Sequence, residues 1–208
     1  YYSRMNHVTE WQNFYFDDIN SFSYVSLSGI EKEYYGVEVG AKVKLTSFLD
    51  LNLLGTWNEG KYANNADVNY INSTQGTYNT DVLMNKGMRE SGTPLTAGNI
   101  GLSYHQSGWY IDLNANYYDR IYLSYSPYYR YKSILDRLGS IDENGQYIVS
   151  PQDKGHGGFM LDGSIGKNIR MKRGSLSINL MVVNLLNNQN IVTGGYEQSR
   201  SDYTASGN

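Results

Sequence analysis

Apolar and polar residues alternate along six segments of this chain, and that period of two is its strongest signal. Over 35–45, Tyr35, Val37, Val39, Ala41, Val43 and Leu45 share one parity, and Gly36, Glu38, Gly40, Lys42 and Lys44 the other. Over 49–58, Leu49, Leu51, Leu53, Gly55 and Trp57 oppose Asp50, Asn52, Leu54, Thr56 and Asn58. The segment 98–105 sets Ile100, Leu102 and Tyr104 against Asn99, Gly101, Ser103 and His105. In 109–121, Trp109, Ile111, Leu113, Ala115, Tyr117 and Ile121 oppose Tyr110, Asp112, Asn114, Asn116 and Arg120. The pattern returns in 159–168, with Phe159, Leu161 and Ile165 against Asp162, Ser164, Gly166 and Asn168, and in 176–186, with Leu176, Ile178, Leu180 and Val182 against Ser177, Asn179 and a less polar tail. Successive strand side chains point to opposite faces, so each segment predicts a strand with one apolar and one polar face. Weaker patterns over 1–16 and 19–30 allow a seventh and an eighth.

The connections alternate too. Thr46-Ser47-Phe48, Gln106-Ser107-Gly108 and Met171-Lys172-Arg173-Gly174 are short enough for hairpin turns. Between them lie polar stretches at 63–93 and 126–156, and a third begins at 187. Unstructured loops of that length are rare in compact domains. Short turns at one end and long loops at the other fit an all-β antiparallel meander forming part of a large transmembrane β-barrel. A soluble β-sandwich would alternate as well. Three features favour the barrel: the polar parity is richer in Asn, Ser, Gly and Asp than in Lys and Glu, aromatic residues such as Trp57, Trp109, Tyr117 and Tyr122 mark the ends of the apolar faces, as in an aromatic girdle, and segments such as 109–121 exceed the roughly six residues usual for soluble strands.

Composition sharpens this without changing it. Of 208 residues, 21 are Tyr and 22 are Gly, with 3 Pro and no Cys. Strand-favouring Tyr beside turn-favouring Gly and Asn agrees with many short reversals. The absence of Cys removes disulfide scaffolds and thiolate zinc sites. A net charge of −3 argues against nucleic acid as a general partner. No apolar run reaches the roughly 18 residues of a spanning helix. Residues 1–11 have neither a basic start nor an apolar core, so no signal peptide is read there. The polar run 201–208 offers no closing strand, and lipid tolerates no unpaired edge, so 1–208 is expected to be a piece of a larger barrel.

Catalytic motifs are missing. The three histidines, His7, His105 and His156, form no metal pair. Gly163-Ser164-Ile165-Gly166 lacks the spacing of a nucleophile elbow. Neither Asp17-Asp18 nor Asp142-Glu143-Asn144-Gly145 supplies enough oxygen ligands for calcium. No enzyme activity, metal or cofactor is expected. The Tyr-rich run 117–132 has two readings: girdle plus ordinary loop, or a ligand surface built from flat, hydroxyl-bearing rings. Within it, Tyr128, Tyr129, Arg130 and Tyr131 are the candidate substrate contacts, since aromatic faces beside a guanidinium can stack on a sugar and bond its hydroxyls.

The segment Val183-Asn184-Leu185-Leu186-Asn187 resembles the "N-L-L/F-N" strand end near the carboxy terminus of TonB-dependent outer-membrane receptors. The following Gly194-Gly195-Tyr196-Glu197-Gln198-Ser199-Arg200 is similar to the form in Bacteroidetes members, including relatives of the SusC transporters. Residues 94–125 also fit their barrel strands. The resemblance implies a large plugged barrel that imports a scarce nutrient, glycan or peptide ahead of siderophore, vitamin or haem. Its implied partners are the TonB energy-transducing complex, outer-membrane lipid, a nutrient ligand and, for SusC-like members, a surface lipoprotein. The chain carries no plug, no TonB box and no terminal aromatic strand, so none of their residues can be carried over. The alternative is a small barrel adhesin or recognition protein without transport. A barrel protease or lipase is disfavoured by the missing motifs.

Overall fold

The computed structural model describes residues 1–16, 21–72 and 77–192. Asp17-Asp18, the Gly194-Gly195 motif and the run 201–208 lie outside them. Among the described residues nine antiparallel strands form one sheet: β1 Tyr2–Phe16, β2 Ser21–Lys44, β3 Leu49–Tyr62, β4 Ala66–Asn72, β5 Thr77–Leu83, β6 Thr96–Gln106, β7 Trp109–Asp119, β8 Gly158–Met171 and β9 Gly174–Val182. Strand β1 lines one edge of β2. On the other edge β3 pairs with its lower half and β4 with Val25–Ser28 of its upper half. The order then runs β3-β6-β7-β8-β9, with β5 outside β4. The fold is all-β and antiparallel, and among the described residues the sheet is open rather than closed on itself.

The three short links are hairpin turns at one end. Gln106 pairs with Trp109 across Ser107 and Gly108, whose φ angles of 51° and 78° give the left-handed turn that suits two twisted strands. Glycine is needed at 108, because a Cβ there would meet the Asn168 carbonyl oxygen at 2.5 Å.

Register confirms the two faces. Val43, Leu51, Leu102, Leu113 and Gly163 stand in one transverse row, and Lys42, Asn52, Gly101, Asn114 and Asp162 in the next. The apolar rows are open to the surroundings: Val39 is 65% exposed, Ile100 57%, Leu113 42% and Leu180 62%. The polar rows are laced together instead. Asn52 Nδ2 donates to Ser103 Oγ (3.3 Å), Asn99 to Asn116 Oδ1 (2.8 Å), Asn116 to Asp162 Oδ2 (2.8 Å) and Ser164 to Asp112 Oδ2 (3.1 Å).

Three expectations need correction. The segments 19–30 and 35–45 are one strand of 24 residues, not two. A register shift opposite Gly29 (φ 65°) inserts an extra residue, so inward positions move from the odd Val25 and Leu27 to the even Ile30, Lys32 and Tyr34. That change of parity is what hides the continuity from a period-two reading. The stretch 63–93 is not only loop, since it contains the β4–β5 hairpin. The stretch 126–156 holds a 3₁₀ turn, Tyr128–Arg130, and helix α1, Lys132–Leu138, closed by Gly139 at φ 64° with Ser140 N–H bonded back to the Leu135 carbonyl.

These two insertions build the hydrophobic core. Val25, Leu27, Ile30, Tyr62, Ala66, Val68, Leu83, Met88, Tyr125, Tyr131 and Ile134 pack together on the inward face of the upper sheet. The core therefore sits at the loop end, while the apolar strand faces below it bury little.

Candidate functional site

Just below this core, on the same inward face, lies a cavity of about 710 Å³ lined by β1, β2, β3 and the segments around Glu90 and Tyr125. Its charged centre is Lys32, only 4% exposed, which the even parity of β2 after the shift points inward. The ammonium is held between the carboxylates of Glu10 and Glu90. Tyr34 Oη donates to Glu90 Oε1 (2.7 Å) and Tyr62 Oη to Glu10 Oε2 (2.9 Å). Burial alone would lower the Lys32 pKa, but hydrogen bonds to Glu10 and Glu90 and their charge outweigh it and raise it. Burial, with Glu90 behind it, pushes the Tyr34 hydroxyl up to about 12, so it stays a donor at neutral pH. Burial likewise raises the Tyr62 hydroxyl.

One lysine between two carboxylates leaves this face with an excess of acceptors. The side chains of Glu10 and Glu90 are 25% and 37% exposed, so their oxygens remain reachable from the cavity. Ser91 and Ser124, joined by a hydroxyl–hydroxyl contact of 2.8 Å, lie on the same wall. The arrangement can receive a ligand rich in hydrogen-bond donors. Among the described residues no cluster of metal-binding side chains forms.

The four candidate residues are brought together, as packing of the loop. Arg130 is 1% exposed and Tyr131 3%. The Arg130 guanidinium covers the Tyr125 ring at 5.0 Å and donates to the carbonyls of Ser126 (2.9 Å) and Pro151 (3.1 Å). Tyr131 stacks on Tyr70 of β4, ring centres 5.8 Å apart and planes 7° from parallel. Tyr128 and Tyr129 are half-buried against the same core and meet edge-on at 5.1 Å. In this conformation only these two offer surface to a ligand. The polar centre at Glu10, Lys32 and Glu90 was not singled out by sequence reasoning. Its members are 22 and 58 residues apart, and no local spacing marks them.

The Asn184-Leu185-Leu186-Asn187 motif follows β9 as a turn locked by its asparagines. Asn188 N–H donates to Asn184 Oδ1 (2.9 Å), Asn184 Nδ2 to the Asn188 carbonyl (3.0 Å), and Asn184 N–H to Asp162 Oδ1 (2.8 Å). Comparison with family models, with curated proteins and with solved structures finds no match to this chain.

Proposed function

We propose that the chain is part of an outer-membrane transport protein, the carboxy-terminal portion of a TonB-dependent receptor barrel, which captures a nutrient and passes it inward. One observation carries the membrane part of this reading: the buried core lies at the loop end, while the long apolar rows of β2, β3 and β6–β9 are exposed. A water-soluble sheet would cover those rows, since contiguous apolar surface of that extent is costly in water. A bilayer covers them without a second layer. Strands β6 and β7 are 11 residues each, the length that crosses the roughly 30 Å hydrocarbon layer at a tilt. No described helix is long and apolar enough to do so. Strand β2, with 24 residues and a reach of about 80 Å at the usual strand rise, extends well beyond the layer. Its upper half then carries the loop core outside the cell, with the three tight turns in the periplasm.

Transport rests on the resemblance of 183–200 to these receptors and on the acceptor-rich inward cavity beneath the loops. The ligand class is a glycan or a peptide, both of which present the N–H and O–H donors that Glu10 and Glu90 lack. The partners are the TonB complex and outer-membrane lipid. The test is uptake of labelled oligosaccharides and oligopeptides by cells carrying the full-length gene, with and without a working TonB complex. Uptake lost in both TonB-deficient and gene-deleted cells supports the reading. Uptake unchanged by deletion of the gene, for every probe, overturns it.

A further inference from the structure

The outward face above the apolar band carries a second, opposite electrostatic feature. Lys61 follows Trp57 by four residues on β3 and bridges to Arg89, so the two share the parity of Trp57, and Arg89 stands between this side and the cavity around Lys32, which it also lines. Tyr122 bridges to Lys154. The Arg89 guanidinium and the Lys154 ammonium both lie on the Tyr122 ring, at 4.9 and 5.4 Å from its centre. Two cations on one ring repel each other unless negative charge joins them. Arg89 has a share of one carboxylate, Glu59 Oε1 at 2.5 Å, but Glu59 also holds Arg120, whose guanidinium covers the Trp57 ring at 4.9 Å. Lys154 and neighbouring Lys86 form no ion pair with any described residue. All three cations, Lys86, Arg89 and Lys154, line a recess of about 900 Å³ with Gln146 and Gln152, and no carboxylate lines it. Arg89 and Arg120 thus share the one carboxylate of Glu59, while Lys86 and Lys154 bring two further positive charges to the recess.

We propose that this recess binds the phosphate of an anionic lipid at the outer rim of the membrane, with Lys86 and Lys154 as direct contacts and Arg89 as the oriented guanidinium between them. The inference rests on the membrane reading above, because the position supplies the source. Arg120 over Trp57 ties the cation group to the aromatic row formed by Trp57 and by Tyr117 against Phe159 (4.7 Å), and such rows mark the membrane interface. Long cationic side chains just beyond it reach back to headgroup phosphates. The guanidinium of Arg89 is fixed by Glu59, and its backbone by Gln152, which accepts from its N–H and donates to its carbonyl, both at 2.8 Å. The recess is therefore shaped before a ligand arrives.

The experiment titrates the full-length protein in a neutral detergent with short-chain phosphatidic acid, short-chain phosphatidylcholine and inorganic phosphate, counting retained ligand by native mass spectrometry. Phosphatidic acid is expected to be retained selectively. The double variant Lys86→Gln, Lys154→Gln is expected to weaken that retention about thirtyfold, on the scale of one interfacial cation each, and added salt to weaken it further. Lys172→Gln, in the turn at the opposite end, is expected to leave it unchanged. Equal retention by wild type and double variant, at equal strand content by circular dichroism, overturns the proposal. Inorganic phosphate retained as well as the lipid overturns the lipid source. Incorporation into phosphatidylcholine vesicles, read by protease protection, separates the two readings. A protein that inserts but shows no phosphate selectivity loses only this inference, whereas one that inserts into no bilayer loses both.

Discussion

The lower and upper halves of the same sheet solve opposite problems. Below Trp57 the apolar side chains face outward and are exposed, and the inward rows of Asn, Ser and Asp bond one another. Above it, the inward positions of β2 turn apolar at Ile30, Leu27 and Val25, and the β4–β5 hairpin and the loop around Tyr131 bury them. One strand, β2, serves both halves, and the extra residue near Gly29 adjusts its parity between them. The difference teaches that a buried core is a property of what covers a face, not of how apolar the face is. Where loops cover the sheet, the apolar face turns in. Where none of the described residues covers it, the apolar face turns out.

The largest expected break comes in the covered half. Leu27→Ala, at a fully buried site, should cost about 2–5 kcal/mol in denaturant unfolding of the upper region, because the packed neighbours collapse only partly into the cavity. A cost below about 1 kcal/mol, the range of surface sites, would mean that the loop core does not hold the upper sheet. In the uncovered half, Leu113→Arg should cost about 2–4 kcal/mol in a bilayer and far less in its neighbour Asn114→Arg. The same contrast appears chemically. Single cysteines at 112 and 113 should differ in labelling by a membrane-impermeant reagent, and equal labelling would count against opposite environments for the two faces.

At the junction of the halves, Glu90→Gln removes one of the two carboxylates that hold buried Lys32. About 1–3 kcal/mol should be lost, the range for weakening a partly buried charge-assisted bond. The pH dependence has a definite sign. The folded Lys32 pKa lies above the usual 10.5, so its contribution is present throughout the neutral range and is lost only as pH climbs past 10.5 and through the folded value. Stability of the Glu90→Gln variant should therefore fall less steeply than wild type in that alkaline window, and parallel curves would remove Lys32 as the group responsible.

Tyr128 and Tyr129 are half-buried, and replacing both by Ala in the full-length protein separates packing from ligand contact. The core contacts predict reduced surface abundance. Normal abundance with lost uptake would instead make them ligand residues, and normal abundance with normal uptake would remove that role. The smallest effect belongs to Lys42, 66% exposed and 3.1 Å from Asp50, where Lys42→Ala should change stability by about 1 kcal/mol or less.

Much of this was legible in the chain itself. The parity of Val37, Val39, Val43, Leu51, Ile111, Leu113, Ile178 and Leu180 on one face, and of Glu38, Lys42, Asn52, Asp112, Asn114 and Asn179 on the other, follows from strand geometry alone, because each Cβ direction is set by its own backbone. The turn at Ser107-Gly108 is equally local, needing only a left-handed φ at two positions. The candidate cavity was not legible. Glu10, Lys32 and Glu90 meet because β1 pairs with β2 while the segment after β5 comes to rest against the neighbouring β3, and no spacing in the sequence encodes that approach. Nor does anything near Tyr122 announce that Arg89 and Lys154 converge on its ring from 33 and 32 positions away. The sequence by itself determined which side of each strand is apolar and where the short reversals fall, since both depend on neighbours along the chain. Only the tertiary structure decided which face the loops cover, where the parity of β2 shifts and which charges end up together, because those depend on contacts between segments whose distance along the chain says nothing of their distance in space.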